Sequence, residues 1–299
     1  MNAGGRNMIK KHEASGLAFS LAAGAYIVAA LVFSTATLRL DESAKSGAGY
    51  VFASFLTSAP VLSAAILITF CITPFGFSDY VGIKFEPKFL LPVALIFAGA
   101  FLALGNVNDL FVSFLERFGY KEQATTLPEF SAVNYALCIV VVCVLPAVLE
   151  ETLFRGVILG GIGGAGIAAA ALSAAAFAIY HMSPSKTIYQ FAMGFVFALV
   201  AQKTKSILPT VIIHALNNFA VVSLAYFAPH IFSDKTLVPY YIAGGAVLLT
   251  AGLLILFRFA KGGEGKEKNA EDGLIGGFMK YSAVGFSVCA IIWIARLCS

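Results

Sequence analysis

Runs of about twenty apolar residues recur along this chain, and they limit its fold more than any other feature. Such a run is long enough to cross a hydrocarbon core as a helix. The first covers roughly residues 16–38. Others fall at about 49–75, 89–105, 131–160, 166–181, 187–202, 207–229, 238–260 and 281–297. Of the 299 residues, 59% are hydrophobic and 12% are charged, whereas a soluble domain has about 25% charged residues. Mean hydropathy is +0.87. The expected fold is all-α, a polytopic membrane helical bundle of about 8–9 transmembrane helices. The first run exceeds the roughly 7–15-residue core of a cleaved signal peptide, so it reads as a retained span.

The segments between runs are less informative. Pro60 lies inside the second run and predicts a kink there. Residues 108–120 mix apolar and polar positions at helical spacing. They read as a short amphipathic helix, lying on the interface or packed on the protein. Residues 261–273 are hydrophilic and form the clearest linker. The chain then divides into N-terminal membrane helices with the interfacial helix at 1–130, a core at 131–230, and C-terminal membrane helices at 231–299. With the N-terminus inside, the inside segments hold Arg6, Lys10, Lys11, Lys84, Lys203 and Lys205 among others. The positive-inside rule thus favours a cytoplasmic N-terminus. The net charge of +4 is spread over loops, and no basic stripe points to nucleic acid. Cys71, Cys138, Cys143, Cys289 and Cys298 lie in or at the ends of apolar runs without a C-x-x-C pair. They read as membrane-buried thiols, not as disulfides or zinc ligands.

One apolar run carries charge. Glu150, Glu151 and Arg155 follow Leu149 with no loop residue between. Ionisable groups within a bilayer are expensive, so a carboxylate at that depth is a candidate functional residue. Glu151 and Arg155 are i, i+4 and can pair. Glu150 is rotated about 100° away and is left to face something else. Gly156, Gly160 and Gly164 recur every fourth residue, which allows helices to approach closely. Of the 4 histidines, His12 is in the polar tail and His230 in a loop, while His181 and His214 sit in or at the end of apolar runs. His214 and Asn218 project from one helix face, as do Phe177 and His181. A carboxylate and an imidazole can activate water as a general base. A second imidazole and an amide can donate to a developing oxyanion. Those parts suffice to hydrolyse an amide inside a membrane cavity.

Glu150-Glu151-x-x-x-Arg155, Phe177-x-x-x-His181 and His214-x-x-x-Asn218 occur in that order on membrane helices. Together they resemble the three-motif signature of the CAAX prenyl protease and bacteriocin-processing (CPBP, Abi) family, which includes type II CAAX endopeptidases. Pro146, Phe154, Gly156 and Leu208-Pro209 agree with it, and the resemblance covers about residues 143–220. It implies a water-filled catalytic cavity between four central helices. It implies that Glu150 and His181 activate the water and that His214 and Asn218 form the oxyanion hole. Glu151, Arg155 and Phe177 would support them from behind. The implied substrate is a membrane-associated peptide or a lipidated, CAAX-type protein, with membrane lipid around it.

Two mechanisms stay open on these residues. One is glutamate-dependent and needs no metal. The other places zinc or another divalent metal on Glu150, His181 and His214. The lack of an H-E-x-x-H pair favours the first. Two further classes compete. A non-catalytic bacteriocin-immunity or scaffold protein could keep the same fold, although all the motif residues are present. A proton-coupled transporter would show inverted repeats, and the chain has no internal repeat.

Overall fold

A computed structural model of the chain describes residues 9–122, 126–163, 166–260 and 271–298. Arg6, Gly164 and the expected linker as far as residue 270 lie outside the described residues. Those residues form an all-α bundle. Its main helices are α1 (Lys11–Ala36), α2 (Ala48–Ile72), α3 (Leu90–Glu116), α4 (Ala132–Gly161), α5 (Gly166–Tyr180), α6 (Thr187–Thr204), α7 (Leu208–Phe227), α8 (Val238–Phe259) and α9 (Glu271–Leu297).

The chain is an integral, multi-pass membrane protein. Among the described residues 7 helices are long and apolar enough to cross a membrane, α1 to α4 and α7 to α9. α5 falls outside that set by length and α6 by composition. The 15 residues of α5 rise only about 22 Å. The 18 residues of α6 rise about 27 Å, and they include Gln190, Gln202 and Lys203. A hydrocarbon core is about 30 Å thick.

Two local expectations meet different outcomes. Pro60 cannot donate to the carbonyl of Leu56, and α2 is indeed interrupted at Thr57, between Ala48–Leu56 and Ser58–Ile72. The separate amphipathic helix at 108–120 does not exist. α3 runs unbroken to Glu116, because its one proline, Pro92, lies in the first turn, where it is tolerated. Of the polar positions in that stretch, Asn108 Oδ1 accepts from the Tyr189 amide at 3.3 Å, whereas Asp109, Ser113, Glu116 and Arg117 are exposed.

Close packing follows from small residues. α3 and α8 lie along each other. At Gly245 an added Cβ would fall 2.6 Å from the Ala103 nitrogen and 2.7 Å from the Gly99 oxygen. α1 lies along α9 and against the second half of α2. Ser20 Oγ donates to the carbonyl of Tyr281 at 2.7 Å and accepts from the Gly285 amide at 3.1 Å. α4 is central and touches α1, α2, α5 and α7. Its residues Leu153, Phe154, Val157 and Ile158 are fully buried. All five cysteines are free thiols; Cys138, Cys143 and Cys289 are buried, whereas Cys71 and Cys298 are at the surface.

The α3–α8 contact yields a matched pair of variants. Gly245→Ala should lower the melting temperature in detergent, at a cost of about 1–3 kcal/mol for overpacking. Gly244 has nothing within 4 Å of an added Cβ, so Gly244→Ala should be neutral or slightly stabilising, by up to about 1 kcal/mol. Equal melting temperatures for the two variants would contradict this packing.

Candidate active site

The helix that carries the charges is not a regular α-helix. Within α4, the stretches Ile139–Val144 and Thr152–Ile158 are π-helical and bracket an α-helical Leu145–Glu151. Such turns are rare and gather at functional sites. Here the loosened carbonyls have identifiable partners. Pro146 has no N–H to offer the carbonyl of Val142 four residues earlier; Asn218 Nδ2 donates to that carbonyl at 3.3 Å. In the second π stretch, Ser173 Oγ of α5 donates to the Phe154 carbonyl at 2.9 Å, and Ser15 Oγ of α1 to the Val157 carbonyl at 2.7 Å. Tyr135 and Ser223 share a hydroxyl hydrogen bond of 2.9 Å, which joins the far ends of α4 and α7.

Glu151 lies at the junction of the α and second π stretches. Its Oε1 accepts from Arg155 Nη1 at 2.9 Å and from His214 Nδ1 at 2.9 Å. The i, i+4 pair inferred from spacing is therefore present, and it also engages α7. Arg155 Nη2 donates to the carbonyl of Gly194 at 3.3 Å. An added Cβ at Gly194 would sit 3.2 Å from Ala174 Cα, so glycine is what lets α6 bring that carbonyl in beside α5. The guanidinium lies 4.3 Å from the Phe177 ring centroid and 5.3 Å from that of Phe197, within cation–π range. Glu151 is 0% exposed and Arg155 3%. Removing either partner would strand a charge, which makes this network the most demanding contact in the bundle.

Glu150 faces His214. Its Oε2 lies 3.8 Å from His214 Nε2, and both residues are buried. That is longer than a direct hydrogen bond. A carboxylate only accepts, so the bond to Glu151 puts a proton on His214 Nδ1 and turns Nε2 toward Glu150. The imidazole sits between Phe177 and Phe197, with centroid distances of 6.0 and 5.7 Å.

His181 ends α5, and its Nδ1 is bonded to the Phe177 carbonyl at 2.8 Å. Since a carbonyl only accepts, Nδ1 carries the proton and Nε2 is left open. Among the described residues no hydrogen bond joins His181 to Glu150. Phe177 stands between the two histidines, 4.8 Å from the His181 ring. Asn218 is half-buried, and its amide is engaged with Val142 rather than with the Glu150–His214 pair. Of the three residues weighed as metal ligands, Glu150 and His214 meet and His181 stands apart. Among the described residues no three His, Cys, Asp or Glu side chains are grouped to hold a metal.

Three contributors escaped the sequence reading: Gly194, Phe197 and Tyr189. Tyr189 Oη donates to the buried Asn217 Oδ1 at 2.6 Å. All three are on α6, which carries no motif. Only tertiary packing brings α6 to α4 and α7, so no spacing along the chain marks them.

A family model described as type II CAAX prenyl endopeptidase Rce1-like matches residues 132–220. The match runs from the start of α4 into α7 and contains Glu150, Glu151, Arg155, Phe177, His181, His214 and Asn218. No curated protein and no solved structure matches the chain. The family match covers less than a third of the sequence, and it links this chain to the CAAX-type proteases at the distance of a superfamily.

Proposed function

We propose that this protein is a membrane-embedded endopeptidase that hydrolyses a peptide bond in a membrane-associated peptide or a CAAX-type lipidated protein. The observation that carries this reading is the buried Glu150–His214 pair, with His214 held by Glu151 and Glu151 by Arg155. It lies inside the stretch that resembles CAAX-type proteases.

The chemistry follows from the geometry. Glu150 Oε2 and His214 Nε2 are 3.8 Å apart, so one water can reach hydrogen-bond distance of both. Glu150 takes a proton from that water as general base. The remaining hydroxide adds to the substrate carbonyl carbon. Glu150 then returns the proton to the amide nitrogen as the C–N bond breaks. The family resemblance gives the water to Glu150 and His181 and the oxyanion to His214 and Asn218. The geometry favours His214 as the partner of Glu150. His181 Nε2, open at the end of α5, would hold the water from a second side. Asn218 keeps one amide hydrogen for the oxyanion beyond the one given to Val142. Hydrolysis without a metal is part of the proposal, because His181 stands apart from Glu150 and His214 and no H-E-x-x-H pair is present.

A non-catalytic scaffold is the second reading, and the Asn218–Val142 bond favours it. Proteolysis assays on a farnesylated peptide and an unmodified one, beside thermal melts, separate the two. Glu150→Gln should cut turnover by about 10²–10⁴-fold with the melting temperature retained. Glu151→Gln should instead destabilise the fold by about 3–5 kcal/mol, because Arg155 and His214 both lose their partner. Asn218→Ala should lower turnover per folded molecule by about 10²–10³-fold as an oxyanion donor; loss of melting temperature alone would mark it as structural. Wild-type activity in Glu150→Gln would remove the catalytic assignment. Exhaustive chelation should leave the rate unchanged, and loss on chelation with recovery on stoichiometric zinc would overturn the metal-free mechanism.

A further inference from the structure

A separate cavity of about 150 Å³ opens near the Gly160 end of α4. Its walls include Tyr80 and Gly82 from the segment after α2, Arg155 and Gly160 from α4, and Lys205 and Ser206 from the α6–α7 turn. Two glycines set the shape. An added Cβ at Gly160 would fall 2.8 Å from the Tyr80 oxygen, and one at Gly82 would fall 2.0 Å from the Lys205 oxygen. The Ile207 amide donates to the carbonyl of Gly82 at 2.8 Å, which fixes the segment against the turn. The volume is several times the ~30 Å³ that a water molecule occupies in the liquid.

The lining carries charge of one sign. Arg155 lines the cavity and is 3% exposed, and among the described residues its Nε–H has no acceptor. Nη1 and Nη2 each give one hydrogen elsewhere, to Glu151 and to Gly194. Lys205 adds a second cation from a left-handed backbone, φ 54°. Among the described residues no carboxylate lines the cavity. Asp79, the neighbour of Tyr80, is tied to the Gly76 amide at 2.7 Å.

We propose that this cavity is a binding site for a phosphate-class oxyanion, with Arg155 Nε–H and Lys205 as its donors. A tetrahedral oxyanion offers acceptors in several directions at once, which suits donors that arrive from two parts of the chain. Inorganic phosphate and the phosphomonoester headgroup of a lipid present the same chemistry. The bound anion would give Arg155 its third acceptor, and so steady the chain of contacts through Glu151 to His214. The site does not depend on the protein being a protease.

Thermal melts of the purified full-length protein test it. One arm titrates inorganic phosphate against chloride at matched ionic strength. The other compares phosphatidic acid with phosphatidylcholine. A saturable rise in melting temperature is expected in at least one arm. A response to phosphatidic acid alone would assign the source to lipid, and a response to phosphate an aqueous one. Lys205→Gln should weaken the apparent affinity about tenfold or more. Lys205→Gly should raise the melting temperature without ligand, because glycine tolerates the left-handed backbone, and yet lose the response. That variant separates loss of binding from loss of fold. No rise in either arm, or an equal rise in the wild type and Lys205→Gln, would overturn the proposal.

Discussion

Glu151 Oε1 takes two hydrogen bonds of 2.9 Å, from Arg155 and from His214, where no water reaches it. In such surroundings a charge is tolerable only if its partners are fixed. The centre of the bundle supplies that fixity. α6 contributes the Gly194 carbonyl and the Phe197 ring, α5 the Phe177 ring, and α7 the imidazole. The aromatic faces and the carbonyl give the guanidinium what solvent would otherwise provide. Glu150, next along the chain, gains its position from this network without spending any of its own oxygens on it.

The irregular α4 and the cluster depend on each other. Two π stretches leave carbonyls less well served within the helix, and α1, α5 and α7 each place a side chain on one of them. These are the helices that α4 must touch for the cluster to close. A regular α-helix would satisfy its own backbone and offer its neighbours no such attachment. The cost in helix regularity is thus tied to a gain in lateral registration.

The sequence was most legible where one helix turn suffices. Glu151–Arg155 could be read from i, i+4 spacing, and the structure forms that pair. The apolar runs located the long helices for the same reason, since span length is a local property. Legibility failed where depth and tilt decide. The resemblance placed His181 with Glu150, while the imidazole that faces Glu150 in the structure is that of His214; this turns on how α5 ends and where α7 lies. Asn218 shares a face with His214, yet its amide goes to a carbonyl that Pro146 leaves without its usual donor. The mixed polarity of 108–120 suggested a separate surface helix, but the stretch continues α3, with Asn108 satisfied within the protein and Asp109, Ser113, Glu116 and Arg117 exposed. Polarity alone does not say whether a partner is water or another helix.

The contacts of α1 bear on the order in which the protein assembles. Its Ser15 is bonded to Val157, 142 positions later, and its Ser20 to Tyr281, 261 positions later. α2, which also packs on α1, follows it closely in the chain, whereas α4 and α9 are made much later. Closing such long separations is entropically costly and slow. α1 can therefore settle on α2 early, while its hydroxyl contacts to Val157 and Tyr281 must wait for α4 and α9.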